Sequence, residues 1–458
     1  MKKLFAIVLS LCMVLSVFSV AVFADGTEAA DTFVGYSAAR VEKKDLTTVP
    51  NMKDFYDYPG AQTEFKITDA EGLTTMAGAM AYGADFASYT IYLANDINMQ
   101  DVTWNPKGTF KGVLDGQGFM IENLVVNVSE AADGLFAIGL FASLQGGTIK
   151  NLVIGPNCSF KYSGPDTSKS QIGSLVGSMT GNSTIENCYS AAAVQGNEAV
   201  GGFVGIAQTK SDPDSIRYCT FAGTAHCTHA WKNVGSIIGQ LVKPNVTIQY
   251  CRNMGTLTWR GGEATCGAAG GIVGRCATIT SLVVNNVLIE NCINNGNISA
   301  TNNPSNVGSI VGLASGSTLT VKDCVNYGTL SGQNKGTFVK AGDTTIVNDT
   351  NNTDVTTADP TLADATLDLS NPNFTANVGN PTPPPSTGNE NEDDGDTTTN
   401  SPTTNKKEPA TKAPANTEAP TTEAPAEEKK GCGSVLGGSI ALVMLTAGAV
   451  LTVCKKKD

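Results

Sequence analysis

Asp212 and Asp214, with Pro213 between them and Arg217 three residues on, form the best acid–base group in the middle of the chain. Two carboxylates at a fixed separation are the minimum for ordinary glycoside hydrolysis. Two residues apart across a proline, however, this pair is not expected to converge on one substrate atom, and no catalytic residue is assigned. The phrase HCTH holds the chain's two histidines, His226 and His229. A metal centre needs several ligands facing one point. Here Cys227 is expected to face a core, His226 to face out, and no acidic residue lies within the phrase. The reading is an exposed histidine pair, with no metal-binding and no cofactor-binding residue assigned. Aromatic side chains offer a different chemistry, the stacking of sugar rings. Tyr218 and Tyr250 are expected on adjacent structural units and Trp231 in a longer segment between strands, so these three are the candidate glycan contacts.

A cysteine raises the same question five times. TIENC ends at Cys188, and related phrases end at Cys219, Cys251, Cys292 and Cys324. Disulfides, a metal site and a packing ladder are the alternatives. Two earlier forms, MIENL at Leu124 and TIKNL at Leu152, put leucine at the cysteine position. Free cysteine behaves as a small buried hydrophobe, so packing is favoured. Stacked parallel residues also hold their Cβ atoms near the strand spacing, beyond the usual disulfide reach.

The elements that position these residues repeat. From Leu124 to Cys324 the anchors are spaced by 28, 36, 31, 32, 41 and 32 residues. Between them recur GSLVG (Gly173), GGFVG (Gly201), GSIIG (Gly235), GGIVG (Gly270) and GSIVG (Gly308). Short β-type bursts at such a period indicate a solenoid, and the recurring glycines exclude helical repeats.

The Gly-[Gly/Ser]-apolar-apolar-Gly phrase resembles the GLUG motif of bacterial surface proteins. FKITDAEGLTTMAGAM, YTIYLANDINM and FKGVLDGQGFMIENL are similar to the leader usual in that family. The resemblance spans Phe65 to Val339 and implies an all-β, right-handed parallel β-helix solenoid with a short N-terminal helical cap. Each unit is expected to supply two or three short strands. Parallel β-helices also host polysaccharide lyases and hydrolases.

Aligning the units on the anchor predicts which positions face inward. Six residues on come Cys158, Val194, Ala225, Leu257, Ile298 and Leu330, a core ladder. Two residues after the glycine phrases come Met179, Ala207, Leu241, Cys276 and Ala314, another. Trp259 is expected to face inward as well. Ile185 and Cys188 differ in parity, so a plain strand could not bury both. A left-handed corner repairs this, and Asn123, Asn151, Asn187, Asn291 and Asp323 suit it; Tyr218 and Tyr250 depart from the pattern. Two residues before each anchor, Glu122, Lys150, Glu186, Arg217, Gln249, Glu290 and Lys322 are expected to form an outward row of mixed sign.

The ends carry addresses. Residues 1–24 read as a secretory signal peptide, and 25–64 as an extended segment before the solenoid at 65–340. Residues 341–380 form its C-terminal edge or a partly ordered segment. Residues 381–430 form a disordered stalk of Pro, Thr and Glu. Residues 431–458 hold an apolar transmembrane run and a lysine-rich tail on the cytoplasmic side. The acid cluster from Glu392 to Asp396 lacks the ligand pattern of a calcium loop. A net charge of -12 argues against nucleic acid as a partner. The expected protein is secreted, then anchored through a C-terminal membrane helix at the surface of a Gram-positive bacterium. Its expected role is that of an adhesin binding polysaccharide, mucin or another surface glycan or protein. A polysaccharide lyase or hydrolase and a structural spacer are the alternatives.

Overall fold

The TIENC phrase is where the chain turns from one wall of a solenoid to the next. Thr184–Glu186 is a strand, Asn187 turns it with φ 48°, and Tyr189–Ser190 continues in a second sheet. Ala193–Gly196, Ala199–Gly201 and Val204–Ala207 follow in a third, fourth and fifth sheet, and Asp214–Arg217 re-enters the first. Every strand pairs in parallel with its equivalents in the coils above and below. Among the described residues the five sheets contain 10, 9, 7, 7 and 8 strands in that order.

This computed structural model describes residues 34–359 apart from 59–61, 106–107, 130–136, 166–169, 209–212, 230–231, 243–244, 261–266, 278–285, 302–305, 316–317, 333, 337, 342–345, 356 and 358. Asp212, Trp231, the signal segment 1–24, the stalk 381–430 and the apolar run in 431–458 therefore lie outside the described residues. Among the described residues no helix is long and apolar enough to cross a membrane.

Each unit has five short strands rather than two or three, because two devices bend it. One is the left-handed corner, present at Asn151, Asn187, Asn291 and Asp323 with φ between 48° and 54°. Tyr218 (φ 55°) and Tyr250 (φ 53°) adopt it too. A non-glycine residue there costs roughly 1–2 kcal/mol. The two rings stack at 5.0 Å and 13°, and the Arg40 guanidinium lies 4.0 Å over the Tyr218 ring. Such contacts contribute roughly 0.5–1.5 kcal/mol each, enough to offset most of the strain.

The other device is the glycine phrase, which joins the fourth sheet to the fifth. A Cβ on Gly274 would meet the Gly239 carbonyl oxygen and lie 2.6 Å from that of Val234. Two backbones pass where no side chain fits. The second position alternates along the stack: Ser174, Gly202, Ser236, Gly271, Ser309. Ser174 Oγ donates to the Gly202 carbonyl at 2.5 Å, and Ser236 Oγ to that of Gly271. At the glycines a Cβ would meet the Ser236 or Ser309 carbonyl oxygen and would also lie 2.5 Å from Phe221 Cδ2 or 2.8 Å from Asn294 Cγ. A hydroxyl therefore fills the space in one coil and a larger neighbour fills it in the next.

The anchor cysteines form the expected inward ladder. Cys188, Cys219, Cys251, Cys292 and Cys324 are fully buried and reduced. Each thiol points 3.3–3.4 Å from the carbonyl two residues before it. Burial pushes the Cys188, Cys219 and Cys251 thiols well above their ordinary value. Ile185 is buried beside them, Met179 through Ala314 form the second ladder, and Trp259 is fully buried between Cys227 and Ala300. A ladder that the periodicity did not reveal runs through the second sheet. Asn253 donates its amide to Asn294, Asn294 to Asn326 and Asn326 to Asp354, each at 2.7 Å.

The first coils depart from the expected alignment. Ile121 pairs with Ile154 and Val125 with Ser159, so MIENL supplies a strand of the second sheet and leads into the third. The strand equivalent to Thr148–Lys150 is Val113–Asp115. Asp115 therefore begins the outward row, and Glu122 is buried, accepting the Asn157 amide at 2.8 Å. Cys158 is buried, but the rung below Val194 is Phe160. The extra turn at Gly155–Asn157 delays this strand by two residues. At the N-terminal end, helix α1 (Ala70–Ala81) is capped by Asp69 and closes the core with Leu73, Met76 and Met80.

Native protein should resist thiol alkylation at the five ladder cysteines, with modification appearing only in denaturant. Peptide mass spectrometry after iodoacetamide reads this, and rapid native labelling of the ladder contradicts it. Gly274→Val should destabilise the domain by about 2 kcal/mol or more. The loss should spread to the coils at Gly239 and Gly312, as nearest-neighbour stability in a solenoid requires. Hydrogen exchange resolved by coil checks both points; parental protection contradicts them.

Candidate functional site

The corner line does more than bend the chain, because the segment before the solenoid lies along it. Gly35 N–H donates to the Tyr250 carbonyl at 2.8 Å, and Tyr36 N–H to Thr220 Oγ1 at 2.8 Å. Ser37 N–H donates to Asn187 Oδ1 at 2.9 Å, while Asn187 Nδ2 donates back to the Ser37 carbonyl at 3.1 Å. Lower down, Lys44 N–H meets Gln117 Oε1 at 2.7 Å. Lys66 N–H meets the Pro50 carbonyl at 2.9 Å. Residues 35–50 are thus a strap descending several coils. Gly35 is required at its upper end: it has φ 105°, and a Cβ would collide with Thr220 Oγ1. Tyr36 pins the strap edge-on against Tyr189 at 6.0 Å, and burial pushes both hydroxyls up to about 12.

Between the strap and the outer face of the first sheet lies a polar cleft of about 590 Å³. That is within the range of roughly 300–1,000 Å³ usual for small-molecule sites. Its floor is the start of the outward row, where Tyr92, Asp115, Lys150 and Glu186 stand on successive strands. Asp115 Oδ1 accepts from Gln117 N–H at 3.0 Å and Asn151 Nδ2 at 3.1 Å, and Lys150 Nζ lies 3.3 Å from Oδ2. Glu186 is held by two Arg217 nitrogens at 3.0 Å. The row continues with Gln249 donating to Glu290 at 2.8 Å and Lys322 at 2.6 Å from Glu290. On the strap side, Lys44 reaches Glu64 and lies 3.2 Å from the Tyr92 hydroxyl. Lys43 reaches the Gln117 carbonyl.

The candidate residues are distributed unevenly around this face. Tyr218 and Tyr250 are half-buried and adjacent to it, joined through Arg40, which both lines the cleft and covers Tyr218. A sugar meeting the pair does so at ring edges and hydroxyls rather than on the face the rings share. Trp231 lies outside the described residues, as does Asp212. Asp214 is fully buried and accepts the Ser183 amide at 2.8 Å, while Arg217 on the same strand points outward. Those two are not brought together. His226 and His229 are half-buried rather than exposed. His226 Nδ1 lies 2.6 Å from Thr258 Oγ1, and burial holds its pKa below the usual value. The cleft itself, with Gln117, Asp115, Lys44 and Arg40, was not anticipated. Its one sequence signal is the Asp-Gly-Gln-Gly run, two residues longer than the other corners.

Comparison with known proteins gives a motif match and partial relatives. The family model described as the GLUG motif matches residues 196–225, which run from the third sheet through GGFVG to the third sheet of the next coil. An immunoglobulin A1 protease of Streptococcus pneumoniae is 27% identical over 244 residues, 50% of this chain and 10% of that protein. Halomucin of Haloquadratum walsbyi is 30% identical over 158 residues, 32% of this chain and 2% of that protein. The chain thus spans a small fraction of these relatives. The crystal structure of a putative immunoglobulin A1 protease from Bacteroides ovatus aligns with a TM-score of 0.49 and 18% identity. That alignment covers 64% of this chain and 84% of that one. The matched motif, its recurrence and the parallel coils it builds make this chain a parallel β-solenoid that carries GLUG-type repeats.

Proposed function

We propose that this protein is a surface-displayed binding module whose corner face takes glycan from a polysaccharide, a mucin or another surface glycoprotein. The observation that carries the reading is the strap-bordered cleft beside the Tyr218–Tyr250 stack. It joins a concave polar floor to aromatic edges along a solenoid wall. Trp231, Tyr218 and Tyr250 are the proposed glycan contacts. The names of two relatives, immunoglobulin A1 protease and halomucin, fit a glycoprotein setting. The proposed location is outside the cell, reached through the 1–24 leader and held by the apolar run in 431–458.

A second reading, a glycoside hydrolase, draws on one feature of the same cleft. Asp115 and Glu186 stand two strands apart, roughly 9.6 Å at ~4.8 Å per strand. That is at the outer limit of the about 6.5–9.5 Å used by inverting enzymes. Each carboxylate is already engaged by a cation, Asp115 by Lys150 and Glu186 by Arg217, which favours binding over turnover.

The full chain should bind immobilised mucin or polysaccharide without releasing sugars. Alanine at Tyr218, Trp231 and Tyr250 together should weaken binding by about 1 kcal/mol or more. Asparagine at Asp212 and Asp214 together should leave binding nearly unchanged. New saturated reducing ends that appear with the parent and vanish with Asp115→Asn or Glu186→Gln would establish the hydrolase instead, and unsaturated sugars a lyase.

A further inference from the structure

We infer that the strap-bordered cleft is a site for a carboxylated sugar, a uronate-class unit, with Gln117 and Lys150 as the groups that receive its acid. The inference rests on the glycan-binding reading and narrows it to a ligand class. Three observations lead to it, and the first concerns Gln117. This side chain is 1% exposed, and its Oε1 is engaged by the Lys44 amide. Its Nε2 is buried and has no hydrogen-bond partner, and Gln117 is one of the residues that line the cleft. The amide is oriented by that Lys44 bond, because reversing it would set two donors against each other. A buried donor left without an acceptor is costly, and a ligand oxygen in the cleft would relieve it.

The second observation is how the chain places this donor. Elsewhere the corner takes one left-handed residue, and three positions separate Lys150 from Val153. Here five separate the equivalent residues, Asp115 and Met120. Gln117 and Gly118 are both left-handed, with φ 53° and 73°. Gly116 N–H and Gly118 N–H donate to the Lys150 and Asn151 carbonyls, both at 2.8 Å, so the widened corner is tied to the coil above. Backbone in this region persists where surrounding structure holds it, and such positions cluster at ligand sites. The widening is what brings the glutamine beneath the strap.

The third observation is charge. The chain carries a net -12, yet this cleft is lined by Arg40, Lys43, Lys44 and Lys150 against Glu42, Asp115 and Glu186. The excess is cationic. Lys150 has three protons and directs one interaction to Asp115, so protons are left for a ligand. A carboxylate seated between Gln117 Nε2 and Lys150 Nζ would gain a neutral and a charge-assisted bond. The partly exposed Glu186 carboxylate is an acceptor for ring hydroxyls. Together, donors for an acid beside acceptors for hydroxyls describe a uronic acid better than a neutral sugar or a simple carboxylate.

Isothermal titration of the full chain with D-glucuronate, its methyl ester, D-glucose and acetate tests this. Glucuronate should bind at least about tenfold more tightly than the other three, and added salt should weaken it. Gln117→Glu keeps the acceptor for Lys44 N–H but removes the unpartnered donor. It should lose at least about tenfold in glucuronate affinity at an unchanged melting temperature. Lys150→Gln, on a partly exposed side chain, should lose a similar factor, so that a misfolded glutamine variant does not decide the matter. Equal binding of glucose and glucuronate overturns the uronate assignment while leaving glycan binding intact. Acetate binding as tightly as glucuronate also overturns it, as do folded Gln117→Glu and Lys150→Gln proteins with parental affinity. No response to any sugar, together with no binding to mucin or polysaccharide, overturns both readings.

Discussion

In a parallel in-register stack, every side chain has its own equivalent as a neighbour, one strand spacing of roughly 4.8 Å above and below. Each column must therefore tolerate repetition, and each does so by its own chemistry. Aliphatic columns simply pack. The thiol column is small enough to sit under backbone carbonyls. In the asparagine column every amide donates upward, the carbonyls of Asn294 and Asn326 accept from below, and Asp354 ends it because a carboxylate only accepts. Charged columns cannot repeat one sign, so the outward row joins opposites as Asp115–Lys150, Glu186–Arg217 and Glu290–Lys322. The Ser/Gly alternation in the glycine phrase meets the same demand, with volume in place of charge.

Such a stack has two ends and one long side that repetition does not complete. Helix α1 covers the first core layer. The strap covers the side, reading the corner line one polar group at a time at Gln117, Asn187, Thr220 and Tyr250. Near its top, Arg252 and Asp359 form an ion pair at 3.3 Å with side chains 1% and 2% exposed. Breaking one partner of such a pair costs about 3–5 kcal/mol, so the C-terminal segment of the fold is fixed at a definite place on the wall. The cleft exists because the strap and the widened corner are both present; neither alone encloses it.

Much of this was legible in the sequence. The parity conflict between Ile185 and Cys188 demanded a left-handed corner, and the corner is there even at Tyr218 and Tyr250. What was lost follows from local insertions and from contacts without a period. The two added residues at Asp115–Met120 and the turn at Gly155–Asn157 shifted the first coils, so MIENL passed for an anchor and Cys158 for a rung. The strap's partners lie 150 and 184 positions away at Asn187 and Thr220. They are backbone-to-polar bonds, which leave no hydrophobic pattern. Asp214 and Arg217, three positions apart on one strand, face opposite ways, which proximity in sequence hides.

The meeting of both flanking segments at Arg252 governs how the molecule bears tension. Gly35 sits where a Cβ would lie 3.3 Å from the Arg252 Cβ, and Asp359 holds the guanidinium of the same residue. A pull applied through the chain on both sides is therefore transmitted across the width of one side chain, not along the axis of the stack. The contacts of Gly35 and Asp359 at Arg252 are the first to bear such a load, ahead of the hydrogen bonds that join one coil to the next.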